Sequence, residues 1–162
     1  MTGDVRTRPA RRPEDDDFFL AVYDTTRRPE MTVVGWPEAE VGAFIRMQFE
    51  AQTRHFATVF PDADHRVVTV DGEPVGRLIV DRPGTEILIV DIALLPTRRR
   101  MGAGGALVRA LCREADTAHL PMRCHVALGN EAHGFWVHMG FADRRIDGGH
   151  VAMERPAASS AA

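Results

Sequence analysis

The sequence predicts a single domain of the α/β (α+β) class. Its 162 residues are 44% hydrophobic and 27% charged, which is typical of a globular protein that buries a substantial core. Apolar residues recur at helical spacing before Pro61, and short β-rich runs replace that spacing after it. The predicted order is two helices, three strands, a helix, a strand, a helix and a final hairpin.

The composition and charge exclude several classes of protein. A net charge of -3 argues against general nucleic-acid binding, and no apolar run approaches the roughly 20 residues of a membrane span. The segment MTGDVRTRPARRPEDDD lacks the apolar core of a secretory signal. Cys112 and Cys124 fit reduced residues better than a disulfide framework. We therefore expect a cytoplasmic protein that binds neither nucleic acid nor membrane.

Two helices are predicted in the first part of the chain, after residues 1–8, which form either a frayed start or a first strand. Pro13 and the acidic run Glu14–Asp17 resemble a helix opening, because carboxylates favour the positive end of the helix dipole. We expect this run to be a solvated helix start, although it would also attract a cationic substrate. The second helix begins near Trp36–Pro37 and ends at Pro61. Four of its aromatic residues are predicted to be mostly core: Phe44, Phe49, Phe56 and Phe60.

Three strands are predicted next. Arg66–Val70 and Val75–Asp81 are joined by Asp71-Gly72, a strong signal for a tight hairpin. Thr85–Leu95 is the third strand, and its nearly continuous apolar run predicts burial on both faces. Only Asp91 interrupts that run.

The second half of the chain predicts two further helices and three strands. They are a helix over Gly102–His119, a strand over Met122–Leu128, a short helix over Glu131–Met139 and a hairpin over Asp143–Glu154. The last residues, PAASSAA, are of low complexity. We expect a domain over residues 1–156 and a flexible tail over residues 157–162.

The segment Val90–Leu107 carries most of the functional signal. It places Arg99, Gly102 and Gly104 in the pattern R-x-x-G-x-G between a strand and a helix. Glycines let a backbone approach a ligand closely, and the first turn of a helix presents unpaired N–H groups to an anion. The segment lacks the ending of a P-loop and the spacing of a dinucleotide motif. It suits a phosphate-bearing ligand, and a tight connection without a ligand is the alternative.

Two stretches resemble the GNAT superfamily of acyl-CoA N-acyltransferases, and the resemblance covers roughly Val5 to Pro156. The first stretch, DIALLPTRRRMGAGGALV, is similar to the cofactor-binding strand, loop and helix of that superfamily. The second, NEAHGFWVHMGF, is similar to its downstream signature and includes Asn130, Phe135 and Trp136. The resemblance implies a mixed, mostly antiparallel central sheet, flanked by helices and splayed where the cofactor enters.

The resemblance also implies acetyl-CoA as the acyl donor and assigns residues to its parts. The backbone of Ile92, Ala93 and Leu94 would run along the pantetheine arm, and one of their N–H groups would stabilise the oxyanion. Asn130 would hydrogen-bond that arm, with Phe135 and Trp136 beside the cofactor. The pyrophosphate would lie on the loop and the helix start, formed by Arg99, Arg100, Met101, Gly102, Ala103, Gly104, Gly105 and Ala106.

The sequence departs from the pattern of this superfamily at Trp136. Many relatives carry a tyrosine there, which is thought to protonate the leaving thiolate, and an indole N–H has no useful acidity. Tyr23, the only tyrosine, belongs to the first predicted helix. Water is one substitute proton donor, and His138 and Cys124 are weaker ones.

Asp91 and Glu86 are the candidates for the general base. An isolated carboxylate in an apolar strand is costly to bury and suits base catalysis, but Asp91 is equally a structural acid paired with an arginine. Glu86 stands near the start of the same strand, where it is either a base or an exposed residue. No Ser-His-Asp or Cys-His pattern is present for a covalent intermediate, and the histidines have no compact spacing for a metal.

These observations predict an N-acetyltransferase that transfers an acetyl group from acetyl-CoA to a primary amine, by direct attack in a ternary complex. The alternative is a non-catalytic acyl-CoA-binding regulatory domain with the same fold. The expected partners are acetyl-CoA and an amine substrate. A homodimer is possible on this sequence, and the oligomeric state is not predicted. The identity of the amine is not predicted.

Overall fold

Seven strands form one mixed sheet in the computed structural model, which describes residues 3–99 and 102–159. Arg100 and Met101, two of the residues assigned to the pyrophosphate, lie outside the described residues. The elements are β1 (Val5–Pro9), α1 (Asp16–Met31), α2 (Glu38–Val59), β2 (Asp64–Val70), β3 (Glu73–Asp81), β4 (Ile87–Leu94), α3 (Ala103–Ala118), β5 (Met122–Ala127), α4 (Ala132–His138), β6 (Ala142–Asp147) and β7 (His150–Arg155). A single 3₁₀ turn, Pro96–Arg98, follows β4.

The strand order is β1-β2-β3-β4-β5-β7-β6. Every neighbouring pair is antiparallel except β4 and β5, which are parallel because α3 connects them as a crossover. The predicted fold class, a mixed and mostly antiparallel sheet flanked by helices, is confirmed. The predicted hairpin is also present, since Asp71 and Gly72 take φ values of 51° and 84°, as a tight two-residue turn requires.

Helices α1 and α2 cover one face of the sheet. Their core is a small cluster around Phe19, Ile45 and Phe49, with Val67 of β2 beneath it. Of the four phenylalanines predicted to be mostly core, only Phe49 is buried, and the other three are half-buried. The reason is that α2 contacts α1 along one narrow stripe, so residues beside the stripe keep part of their surface in solvent.

Helices α3 and α4 cover the opposite face, which holds the larger cluster. Leu107, Val108 and Leu111 form the apolar stripe of α3 and pack against the inner residues of β3, β4 and β5. Cys112 and Cys124 belong to this cluster, and both are free and buried. Within the described residues, no helix is both long and apolar enough to cross a membrane.

The strand buried on both faces is β3, and the prediction that assigned this to Thr85–Leu95 is wrong. Residues 75–80 of β3 are all buried, whereas in β4 only Ile87 and Ile89 are. The reason is position, because β3 lies between β2 and β4 with helices on both faces. The second half of β4 has a strand neighbour on one side only.

A β-bulge at Val90 divides β4 into two halves. Val80 lies opposite Ile89, but the next residue along β3, Ile79, lies opposite Asp91. The extra residue reverses the alternation of side chains. Ile89 therefore packs on the α3 face, and Asp91 faces α1 and α2, where the regular alternation would have placed it beneath α3.

Candidate functional site

A gap opens in the sheet between β4 and β5. The two strands pair only where Ile87 lies opposite Met122 and Leu88 lies opposite Arg123. Beyond that point they diverge, so the second half of β4 pairs with β3 alone. The splay implied by the family resemblance therefore lies at the carboxyl end of β4, next to the start of α3.

The backbone of β4 presents polar groups to this gap. The Leu95 N–H donates to the Val75 carbonyl at 2.8 Å, and in an antiparallel ladder the residues bonded to the partner strand alternate. The backbone of Ala93 therefore bonds β3, whereas the N–H groups of Ile92 and Leu94 point to the opposite side. Of the three predicted contact residues, Ile92 and Leu94 direct their N–H groups into the gap.

The first turn of α3 lies at the same gap. Gly102 takes φ 83° and provides no side-chain cap, and the Ala106 N–H donates to its carbonyl at 3.0 Å. The N–H groups of residues 103–105 precede that bond, so they have no partner within the helix. A Cβ on Gly104 would meet only Leu94 Cδ1 at 3.7 Å and Phe135 Cζ at 3.9 Å. The missing side chain thus leaves free N–H groups close to the end of β4.

The described arginines of the loop have different partners. Arg99 is exposed, and its Nε donates to the Leu94 carbonyl at 3.1 Å, which fixes it against the end of β4. Arg98 pairs with Glu73 across 3.5 Å. Of the two described loop arginines, Arg99 is therefore the one that lies at the gap.

Asn130, Phe135 and Trp136 differ in what they contact. The Asn130 Oδ1 accepts from the Ala132 N–H at 2.8 Å, so it forms a local turn just before α4 and leaves the side-chain NH2 group available. Phe135 is half-buried and approaches Gly104. Trp136 is 5% exposed and packs edge-on against Phe141, with their ring centroids 5.1 Å apart. Phe135 therefore borders the gap, and Trp136 belongs to the core.

The proton donors considered in place of a tyrosine lie in different settings. Cys124 is buried in β5, and this burial raises the pKa of its thiol to about 12. His138 is exposed at the end of α4. Tyr23 is buried on the opposite face of the sheet, where its hydroxyl accepts from Arg27 Nε at 3.0 Å. The Cys124 thiol is thus too weak an acid to protonate a leaving thiolate near neutral pH.

Asp91 forms an ion pair with Arg77 of β3. Arg77 Nη2 and Asp91 Oδ2 are 2.7 Å apart, and the Arg77 side chain is 7% exposed. The pair is diagonal, since Ile79 lies opposite Asp91 and Arg77 is two residues from Ile79 on the same face. Sequence reasoning missed Arg77, although a lone arginine in an apolar strand was the same kind of signal as Asp91.

His65 of β2 lies opposite Ile79 of β3, which in turn lies opposite Asp91 of β4. The side chains of His65 and Asp91 are therefore on the same face of the sheet. Burial lowers the pKa of His65, and the charges of Arg12 and Arg77 lower it further, against the opposing effect of Asp64 and Asp91. His65 therefore adds no positive charge to the surroundings of Asp91 at neutral pH.

Glu86 is not brought together with the other predicted residues. It precedes β4, at the end where β4 and β5 are paired, and its nearest partner is Arg123 Nη1 at 3.8 Å. Asp91 is five positions further along the chain, which is about 16 Å at the usual rise per residue of a strand. Within the described part of the chain, no cluster of histidine, cysteine and carboxylate side chains has the geometry to hold a metal ion.

Comparison with known proteins identifies one family. The model of the acetyltransferase (GNAT) family matches residues 19–141. No curated protein sequence matches the chain.

Solved structures with the same fold are numerous. One is PaiA N-acetyltransferase from Thermoplasma acidophilum in complex with coenzyme A, with a TM-score of 0.71 and 16% identity over 94% of this chain and 99% of that one. Another is a histone acetyltransferase HPA2 and related acetyltransferase from Corynebacterium glutamicum, with a TM-score of 0.63 and 21% identity over 100% of both chains. Ard1 from Thermoplasma volcanium has a TM-score of 0.59 and 23% identity over 96% of this chain and 99% of that one. At these identities the likeness establishes the fold.

Proposed function

The chain belongs to the acetyltransferase (GNAT) family, and on that premise we propose that it transfers an acetyl group from acetyl-CoA to a primary amine. The observation that carries the proposal is the gap between β4 and β5, bordered by the uncapped, glycine-rich start of α3. One side of that gap offers N–H groups to an anion, and the other offers backbone groups of a strand that has no partner. These are the two requirements of a ligand with a pyrophosphate and an amide-bearing arm.

The residues around the gap fit coenzyme A. The N–H groups of Ala103, Gly104 and Gly105 would hold the pyrophosphate together with the positive end of α3, and Gly102 and Ala106 complete that turn. Arg99 would add its charge from the end of β4. The pantetheine arm would run beside Ile92 and Leu94, with the Asn130 side-chain NH2 group as a further donor.

The proposed reaction is direct attack in a ternary complex. Acetyl-CoA supplies an activated acyl group as a thioester. The acceptor ammonium gives one proton to Asp91, and the freed nitrogen lone pair forms a bond to the acetyl carbon. An N–H group of Ile92 or Leu94 stabilises the oxyanion, and the C–S bond then breaks. The second proton of the nitrogen neutralises the thiolate through water, so the products are an amide and the free thiol of CoA.

Asp91, and not Glu86, is the base in this proposal. Asp91 belongs to the half of β4 that borders the gap, whereas Glu86 precedes the half that β5 covers. Trp136 has no acidic role, because its indole N–H does not ionise usefully. A thiolate is a good leaving group, so protonation by water is sufficient.

The remaining features of the proposal concern the setting of the reaction. We place the protein in the cytoplasm, in keeping with two buried cysteines that are both free. The catalytic domain spans residues 1–156 in this proposal, and the tail predicted over residues 157–162 lies partly outside the described residues.

The test combines a binding measurement with a turnover measurement. Calorimetry with CoA and acetyl-CoA is expected to give 1:1 binding to the wild-type protein. Release of free thiol from acetyl-CoA, over a panel of amines, is expected to exceed the amine-free rate by at least tenfold for one class. Gly104→Val is expected to weaken CoA binding about tenfold or more, because its side chain would enter the gap.

Gly134→Val is the matched control for that variant. It is the same substitution in helix α4, and a Cβ at Gly134 meets no atom within 4 Å. It is expected to leave CoA affinity within twofold. Tight binding without turnover on any amine would favour the non-catalytic acyl-CoA-binding domain. Absence of CoA binding would overturn the proposal.

A further inference from the structure

Arg77 is a buried cation beneath the proposed catalytic aspartate. Its side chain is 7% exposed, and its guanidinium lies over the rings of Phe19 and Phe49, with Cζ 5.7 Å from each ring centroid. Phe19 belongs to α1 and Phe49 to α2, so both helices of this face hold the guanidinium in place. Cation–π contact with two aromatic rings is made more often by arginine than by lysine.

The hydrogen bonds of Arg77 converge on one carboxylate oxygen. Nε and Nη2 donate to Asp91 Oδ2 at 2.9 and 2.7 Å, and Nη2 also donates to Gln52 Oε1 at 3.0 Å. Asp91 Oδ1 accepts no hydrogen bond from the residues that the structure describes. The Asp91 side chain is 24% exposed, so this second oxygen is open to a partner from outside the fold.

Stability alone does not account for this arrangement. Burying a guanidinium and a carboxylate removes both from water, and an apolar pair of similar volume is often as stable. A structural pair also gains most when both oxygens of the carboxylate are bonded. Arg77 instead fixes one oxygen and leaves the other at the half of β4 that borders the gap.

We propose that Arg77 is a positioning residue for the acetyl transfer proposed above, on which this inference rests. Arg77 holds Asp91 by Oδ2 and directs Oδ1 to the acceptor, where Oδ1 accepts a proton from the ammonium group. Gln52 holds the guanidinium at the correct angle. The acceptor of this site is a protonated primary amine that binds by one directed hydrogen bond, because Arg77 neutralises the charge of the carboxylate.

A double-mutant cycle tests this assignment. Asp91→Asn is expected to lower kcat about 100-fold, and Arg77→Met about 10-fold to 100-fold, since small misplacements of a base have effects of that size. In the Asp91→Asn background, Arg77→Met is expected to change kcat less than twofold, because a positioning residue acts only through its partner. Equal effects of Arg77→Met in both backgrounds would overturn the proposal.

Two further variants keep the test decisive if Arg77→Met does not fold. Gln52→Leu preserves the ion pair and removes only the bond to Nη2, and it is expected to lower kcat about threefold to tenfold. That loss is expected to vanish in the Asp91→Asn background, and persistence there would count against the assignment. Arg77→Lys keeps the positive charge but cannot make both hydrogen bonds to Asp91 Oδ2. Its kcat is expected to be at least threefold higher than that of Arg77→Met.

Binding measurements separate a positioning role from a general loss of structure. CoA affinity is expected to stay within twofold in every variant, because within the described residues no side-chain hydrogen bond or ion pair joins Arg77, Gln52 or Asp91 to the start of α3. The effect is expected in kcat, with the KM for acetyl-CoA unchanged. A wild-type protein that releases no thiol with any amine overturns the proposed function. If the wild-type protein is active but the effects of Arg77→Met and Asp91→Asn on kcat are additive, only the proposed role of Arg77 is overturned.

Discussion

Two arginine–aspartate pairs lie on the same face of the sheet, and they use their carboxylates differently. Arg8 lies opposite Val67, and Val67 lies opposite Arg77, so both arginines belong to one row across the strands. Arg8 bonds Asp15 through both oxygens, with Nη1–Oδ2 at 2.9 Å and Nη2–Oδ1 at 2.8 Å. The backbone N–H of Arg11 donates to the same carboxylate at 2.7 Å.

The second pair, Arg77 and Asp91, leaves one oxygen without a bond from the described residues. Asp15 accepts hydrogen bonds at both oxygens and stands before α1. Asp91 accepts them at Oδ2 alone and stands where β5 has diverged from β4. The difference between the two pairs shows which kind of ion pair indicates a functional site. It is one that leaves a carboxylate oxygen without a hydrogen bond from the protein. A carboxylate with both oxygens bonded within the fold stabilises that fold, and one with a free oxygen at a gap is available to a ligand.

Gly76→Ala is expected to disturb the second pair most, by separating its two strands. A Cβ on Gly76 would overlap the Ala93 carbonyl oxygen and lie 2.6 Å from Leu94 Cδ2. We expect the free energy of unfolding to fall by about 3 kcal/mol, since this clash is with backbone. Urea unfolding measures it, and Gly134→Ala, in open space on α4, is the control that should not be destabilised. Equal stability of Gly76→Ala and wild type would contradict the close approach of β3 and β4.

Asp91→Asn is expected to lower kcat about 100-fold at neutral pH, because the amide cannot accept the proton of the ammonium. The loss should shrink at alkaline pH, where more of the amine is already unprotonated. The pH–rate profile of thiol release measures both effects. A profile with the wild-type shape and height would remove Asp91 from the mechanism.

Asp15→Asn is expected to lower stability and leave kcat unchanged. The hydrogen bonds from Arg8 and from the Arg11 N–H lower the pKa of Asp15 from 3.8 to about 2. Because the folded state favours the ionised form, this contribution is present above pH 4 and is lost as the pH falls through about 2. We expect a difference of about 2 kcal/mol at pH 6. Urea unfolding at pH 6, 4 and 2.5 follows it, and a difference independent of pH would refute this cause.

Glu86→Gln is expected to have the smallest effect. The pair with Arg123 is long, at 3.8 Å, and Arg123 is half-exposed, so the change in stability should stay within about 0.5 kcal/mol. We expect kcat to remain within twofold of the wild type in the thiol-release assay. A loss as large as that of Asp91→Asn would instead assign the general base to Glu86, at the end of β4 that pairs with β5.

The local elements could be predicted because their signals are short. Pro61 follows the end of α2, Asp71-Gly72 forms the expected hairpin, and within Val90–Leu107 the end of β4 and the start of α3 follow one another in the predicted order. Each signal acts within a few residues through backbone conformation or side-chain period. The family followed from two such stretches of sequence.

The partners of the charged residues could not be predicted in this way. Asp15, read as part of a solvated helix start, is 8% exposed and bonded to Arg8. Arg77 lies 14 residues from Asp91 along the chain, and Gln52 lies 25 residues from Arg77. Such contacts depend on which strands and helices become neighbours in the folded protein. A local sequence pattern does not specify those neighbours.

The sequence by itself determined the order of elements, the hairpin, the family and the glycine-rich start of α3, because each depends on residues that are close along the chain. The tertiary structure decided which strand is buried on both faces, which end of β4 is open and which carboxylate keeps a free oxygen. The physical reason lies in the bulge at Val90 and the divergence of β5, which set the direction and the neighbours of Asp91. Both depend on the pairing of distant strands, whose register only the assembled sheet determines.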